Sequence, residues 1–118
     1  AVSFGGYFGI SHGMAVALFL PYALELNRTV CPHKLAQIAA MFGENLEGLS
    51  VVEAAKKSVE ACRNFIKDVG LPSHFGRRID DDLIFRLAKD AFTKPAMKNN
   101  PAKLELDDVV AAIRQILE

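Results

Sequence analysis

The residues best suited to metal or acid–base chemistry are three histidines, and one of them has an unusual neighbourhood. His12 lies between a glycine-rich aromatic stretch and the uncharged run 14–24. Neutral imidazole is a common metal ligand, and the adjacent Gly13 leaves room beside the ring for an ion. A lone histidine at a helix start also suits a purely structural role, so both roles stay open. His33 lies at a helix start and His74 in a loop, where we expect exposed side chains.

The other motifs that could carry chemistry predict structural roles. The three glycines in 5–9 match no phosphate-binding pattern and follow no strand, so they predict a tight turn with close backbone contact. The acidic groups 80–82 and 107–108 each open a helical pattern, where carboxylates cap free N–H groups. No G-x-S-x-G or H-E-x-x-H hydrolase signature occurs. His12 is therefore the one residue whose surroundings suit a metal ligand, although a lone histidine is more often structural, and no residue is assigned a catalytic or nucleotide-binding role.

Composition limits the class of protein. The 118 residues include fourteen basic and fourteen acidic side chains, which cancel at neutral pH. This length suits one domain, and the balanced charge argues against nucleic-acid and membrane-surface partners. The run 14–24 is shorter than the roughly 20 residues that a membrane-spanning helix needs. Because Cys31 and Cys62 form no C-x-x-C pair, they favour free thiols in a reducing cytoplasm. We therefore expect a single cytoplasmic domain.

Apolar periodicity predicts an all-α fold, a bundle of about five helices without strands. The first helix, from about residue 13 to 26, is apolar around its whole circumference, so we expect burial on nearly all sides. Pro21 lies inside it and should kink it. The second helix begins at Pro32, a favoured first-turn residue, and ends at Gly43.

The last three helices have clear boundary signals. The third opens with Ser50 and Glu53, a capping box in which each side chain binds a backbone N–H of the first turn, and Gly70 follows its end as a C-cap. The fourth begins in the acidic cluster 80–82. A loop covers 93–101, and the fifth helix runs from about 106 to 117.

Residues 11–27, SHGMAVALFLPYALELN, contain a His-Gly pair, an apolar helix, and then Leu-Pro and Asn. This pattern resembles the signature of the iron-containing, or group III, alcohol dehydrogenases. The stretches LAQIAAMFG, VGLPSHF, IDDDLIFRLAKDAF and NNP follow in the order found in that family. The resemblance covers almost the whole chain.

The resemblance implies a two-domain protein with a metal between its domains. In the family, a nucleotide-binding α/β domain precedes an all-helical domain, and three histidines and an aspartate of the helical domain bind a divalent iron, sometimes replaced by zinc. His12 corresponds to the last of those histidines, and the other three ligands lie upstream of this chain in relatives. Residues 1–118 would then be one all-helical domain, the C-terminal part of the helical domain without the nucleotide-binding domain. Fe²⁺ or Zn²⁺ and NAD(P) would belong to the full-length protein, with none tightly bound by this chain alone.

The function implied by the resemblance is NAD(P)-linked, metal-dependent interconversion of an alcohol and an aldehyde or ketone. The expected partners are an alcohol or aldehyde substrate, the missing N-terminal domain and further copies in a homo-oligomer, and the isolated chain should be inactive. Two alternatives stay open. The chain could be a freestanding helical protein-interaction domain in which His12 is a structural cap, or a fragment of a related lyase or polyol dehydrogenase.

Overall fold

The computed structural model describes residues 1–117, and over this range the chain is helical without any strand. The helices, in chain order, are α1 (Val2–Phe8), α2 (His12–Asn27), α3 (Pro32–Met41), α4 (Val51–Asp68), α5 (Asp81–Phe92), α6 (Pro95–Lys98) and α7 (Leu106–Leu117). The five predicted helices correspond to α2, α3, α4, α5 and α7. The predicted all-α class is confirmed.

The residues that the structure describes form seven helices instead of five, and both additional helices replace a predicted turn or loop. Helix α6 is a single turn inside the segment 93–101. Helix α1 contains Gly5 and Gly6, whose low helix propensity argues against a helix there. Its Phe4 is only 2% exposed. Tertiary packing of this side chain therefore offsets the unfavourable local propensity.

The predicted tight turn lies after α1. Gly9 has φ +68°, a left-handed conformation that glycine adopts without steric cost. The N–H of the following Ile10 donates to the Gly5 carbonyl at 3.2 Å. This bond closes the end of α1 and directs the chain into α2.

Helix α4 has the caps that the sequence predicts at its two ends. Ser50 Oγ accepts a hydrogen bond from the Glu53 N–H at 3.2 Å, and Glu53 Oε2 accepts one from the Ser50 N–H at 3.2 Å. At the other end Gly70 has φ +81°, and the Leu71 N–H donates to the Ile66 carbonyl at 3.0 Å. Both predicted caps are thus confirmed, the second as a Schellman motif.

The boundary signals of α3 and α5 are also confirmed. Helix α3 begins at Pro32, and Gly43 follows its C-terminus with φ +86°. Asp80 Oδ1 accepts a hydrogen bond from the Leu83 N–H at 2.7 Å and so caps α5. These ends need no partner outside the local chain, which is why sequence reasoning finds them.

The chain divides into two compact units. The first comprises Ala1–Phe19 and the chain from Pro72 onward, and the second comprises Leu20–Leu71. Helix α2 contributes its first half to one unit and its second half to the other. The single-domain prediction stays a prediction.

The first unit is built around Phe4. In this unit α1 packs against α5, and α5 packs against α7. The Phe4 ring centroid lies 4.7 Å from Phe8, 5.4 Å from Phe19 and 5.0 Å from Phe75. Phe75 also donates its N–H to the Ile116 carbonyl at 2.7 Å. These contacts join α1, the middle of α2, the loop before α5 and the end of α7 into one core.

The second unit is built on the packing of α3 against α4. Helix α3 contributes the buried Leu35 and Ala39. The buried residues of α4 are Ala54, Ala55, Ser58, Val59, Ala61, Cys62 and Ile66. The Arg63 guanidinium lies over the Tyr22 ring at 5.7 Å from its centroid, which adds a cation–π contact between α4 and α2.

Helix α2 runs through Pro21 without interruption, but its burial is less complete than predicted. Ala15 and Leu18 are 0% and 2% exposed, whereas Val16 and Leu20 are 37% and 40% exposed. The prediction of near-complete burial is wrong at the last two positions, because a short chain cannot cover every side of an apolar helix. Within residues 1–117, no helix is both long and apolar enough to cross a membrane.

Candidate metal-ligand site

His12 is the first residue of α2, and its side chain is exposed. Ser11 caps this helix start, since its Oγ accepts a hydrogen bond from the Met14 N–H at 3.2 Å. The Ser11 carbonyl accepts one from the Ala15 N–H at 3.1 Å. A methyl group added at Gly13 would meet nothing within 4 Å. The imidazole therefore belongs to a capped helical turn, exposed and with open space at the adjacent Gly13, which is compatible with binding an external ion.

The first turn of α2 rests directly on the backbone of α1. A Cβ added at Gly5 would lie 3.3 Å from the Ala15 Cβ and 3.4 Å from the Ile10 carbonyl oxygen. Ala15 is completely buried. The close backbone contact predicted for the glycine segment is therefore present at Gly5.

The residues that the structure describes include one candidate metal ligand, His12, and no complete ligand set. Between residues 1 and 117, no group of three or more histidine, cysteine, aspartate or glutamate side chains could hold a metal ion. His33 and His74 are exposed, as predicted, and His74 Nδ1 lies 2.8 Å from Ser73 Oγ. Structural zinc sites use about four ligands and catalytic sites about three plus a water. Among residues 1–117, His12 alone therefore remains as a candidate for one coordination position.

The cysteines do not extend this donor set. Both are free, as predicted, with Cys62 buried in α4. Burial raises the pKa of the Cys62 thiol, against a smaller lowering by the charge of Arg63. A metal ligand must be the thiolate, which this environment disfavours. The Cys31 thiol donates to the Asn27 carbonyl at an Sγ–O distance of 3.4 Å.

The acidic clusters have the structural roles that the sequence predicts. Asp80 caps α5, and the next residue, Asp81, forms an ion pair with Arg114 at 3.2 Å. Asp108 Oδ2 accepts a hydrogen bond from the Glu105 N–H at 2.8 Å, which satisfies a free donor at the start of α7. These carboxylates therefore stabilise the N-terminal ends of α5 and α7.

One feature that the sequence does not predict is an open groove of about 620 Å³ between α1 and α5. Apolar side chains such as Leu83 and cationic ones such as Arg86 and Lys89 line it, with Asp90 as its one acidic residue. Its lining contains no histidine or cysteine, so it adds no nitrogen or sulfur ligand. The groove exists only because α1 is helical and packs on α5, and no local signal predicts either fact.

Comparisons with known proteins place these observations in a family context. The model described as "Fe-containing alcohol dehydrogenase family, C-terminal" matches residues 1–117. The chain is 33% identical over 112 residues to the 1,3-propanediol dehydrogenase of Klebsiella pneumoniae, covering 94% of this chain and 29% of that protein. It is 29% identical over 114 residues to the NAD-dependent methanol dehydrogenase of Bacillus methanolicus, covering 96% of this chain and 30% of that protein.

The fold is likewise similar to a solved structure. An alcohol dehydrogenase from Oenococcus oeni matches with a TM-score of 0.89 and 31% sequence identity, over 97% of this chain and 30% of that one. The chain thus spans about 30% of the length of these relatives.

Proposed function

This chain belongs to the Fe-containing alcohol dehydrogenase family, and we propose that it is the C-terminal helical part of a metal-dependent, NAD(P)-linked alcohol dehydrogenase. The match over residues 1–117 and the similarity to an alcohol dehydrogenase structure support this proposal. The whole enzyme would interconvert an alcohol and an aldehyde or ketone. A relative named an NAD-dependent dehydrogenase supports a nicotinamide cofactor, which we assign to a domain outside this chain.

We propose His12 as the metal ligand of this chain, and one observation carries the assignment. His12 is an exposed imidazole on the first turn of a capped helix, with open space at Gly13. An imidazole nitrogen suits both Fe²⁺ and Zn²⁺, and the family name favours iron. Since the described residues offer this one candidate ligand, we assign the other ligands needed for tight binding to the complete protein that contains this chain.

In this proposal His12 would fill one coordination position of the metal, and the residues around it would orient its imidazole. When bound, a divalent metal supplies Lewis acidity toward a substrate oxygen. The cap at Ser11 and the contact at Gly5 keep the first turn of α2 in place, so the imidazole nitrogen is presented without a large ordering cost. No residue of this chain is assigned a proton-transfer or nucleotide-binding role.

The remaining expectations are proposals of the same kind. The substrate would be a small alcohol or aldehyde, supported by relatives named for propanediol and methanol. We also propose a homo-oligomer in the cytoplasm. The two free thiols support a reducing compartment.

The experiment is a His12→Ala substitution in the complete protein that contains this chain. Loss of a direct ligand should lower Fe²⁺ affinity by more than the roughly 10- to 100-fold caused by losing an outer-shell partner. Metal content after dialysis and NAD(P)-dependent oxidation of 1,3-propanediol are the two measurements. His33→Ala is the matched control, because that imidazole is also exposed in the first turn of a helix. Unchanged metal content and rate in His12→Ala would refute the assignment and favour a purely structural role for His12.

A further inference from the structure

The contact between α1 and the first turn of α2 is tighter than ordinary packing allows with any side chain larger than glycine. A Cβ at Gly5 would lie 3.3 Å from the Ala15 Cβ, whereas two carbon atoms prefer roughly 3.5–4.0 Å. Both carbons would be attached directly to a helical backbone, so neither could rotate away. An added methyl group must therefore move α1 and α2 apart by a few tenths of an ångström.

The same turn of α2 carries His12. Ala15 follows His12 by three residues, and residues at this spacing lie on one side of a helix. Ser11 ties the turn together by accepting hydrogen bonds from Met14 and Ala15. A displacement at Ala15 is thus transmitted through one hydrogen-bonded turn to the backbone of His12.

We infer that Gly5 is a positioning residue for His12. Because Gly5 has no side chain, the backbone of α1 can pack directly against the first turn of α2. This inference rests on the proposed function, since it concerns the placement of the proposed metal ligand. Ligand distances in metal sites are set to within about 0.2 Å, so a displacement of a few tenths of an ångström is large enough to matter.

The glycine beside it provides a matched control. Gly6 lies in the same helix, and a methyl group there would meet nothing within 4 Å. Gly5→Ala and Gly6→Ala therefore add the same atom and the same helix propensity, and they differ in the contacts that the methyl group makes with Ala15 of α2 and with Ile10 just before it. A second control is the pair Gly5→Ala/Ala15→Gly, which moves the methyl group from α2 to α1 and relieves the overlap between the two Cβ atoms, leaving the contact with the Ile10 carbonyl oxygen.

The test measures Zn²⁺ affinity by competition with a chelator in the complete protein, and amide hydrogen exchange at Met14 and Ala15 in the metal-free form. Gly5→Ala should weaken Zn²⁺ binding by about 10-fold or more, in the range seen for outer-shell partners, and speed exchange at both amides. Gly6→Ala should change neither quantity. In a protein that already carries Ala15→Gly, adding Gly5→Ala should cause no further loss of Zn²⁺ affinity. A substitution that merely destabilised the protein would lower the affinity in either background.

The outcomes separate this inference from the proposed function. If His12→Ala loses the metal while Gly5→Ala behaves as Gly6→Ala in both measurements, Gly5 does not position His12 and the inference is wrong. If His12→Ala keeps the metal, the proposed function fails, and the positioning of a ligand fails with it.

Discussion

Helices α1 and α4 are stabilised in opposite ways. Helix α4 has a capping box at Ser50 and a Schellman motif at Gly70, so both of its ends are satisfied by its own chain. Helix α1 contains two glycines and has no side-chain cap at its start, and it is held by the burial of Phe4 among aromatic rings. Local capping defines α4, whereas tertiary packing defines α1. The candidate ligand His12 lies close to α1 in the chain.

The largest expected effect comes from removing the packing that holds α1. Phe4→Ala removes a ring that is 2% exposed and lies within 5.4 Å of three other phenylalanine rings. Truncation of a buried phenylalanine costs about 3–5 kcal/mol of unfolding free energy. Chemical denaturation monitored by circular dichroism measures this loss.

The control for this prediction is Tyr7→Ala in the same helix, where the side chain is 57% exposed. Because less surface is lost there, Tyr7→Ala should destabilise the protein much less. Equal losses for the two variants would mean that α1 is not held by the burial of Phe4.

The contrast between α1 and α4 explains which parts of the fold the sequence predicts. The ends of α4 and the cap at Asp80 follow from side chains acting within a few residues, and each is found as predicted. Helix α1 is not predicted, because Gly5 and Gly6 oppose a helix unless Phe4 is already buried by partners distant in sequence. His12 is proposed as a ligand through its place in a pattern that resembles a family signature, whereas the contact at Gly5 depends on α1, which no local signal predicts.

The second prediction tests the locally defined end of α4. Gly70 has φ +81°, a left-handed conformation that costs other residues roughly 1–2 kcal/mol. Gly70→Ala should therefore lower the unfolding free energy by about that amount, as measured by denaturant titration. Gly6→Ala places the same methyl group in a regular helix, where it should stabilise the protein by about 0.5–1 kcal/mol. If both substitutions change stability in the same direction, backbone conformation does not explain the role of Gly70.

The smallest expected effects come from removing two helix caps that differ in their number of side-chain hydrogen bonds. Ser50 exchanges two hydrogen bonds with Glu53, whereas the Ser11 side chain accepts a single one, from the Met14 N–H, each at 3.2 Å. Removing a serine cap costs about 0.5–2 kcal/mol, so both Ser50→Ala and Ser11→Ala should fall in that range. Glu53→Gln, which keeps an acceptor for the reciprocal bond, should cost less than either.

The two caps should differ in what else they change. Ser50 lies far in sequence from the candidate ligand, so Ser50→Ala should lower thermal stability and leave metal affinity in the complete protein unchanged. Ser11 precedes His12 directly, so Ser11→Ala should lower both by loosening the turn that carries the imidazole. Equal metal affinity in the two variants would contradict this prediction. It would mean that the packing of α1 against the first turn of α2 keeps His12 in position without the Ser11 cap.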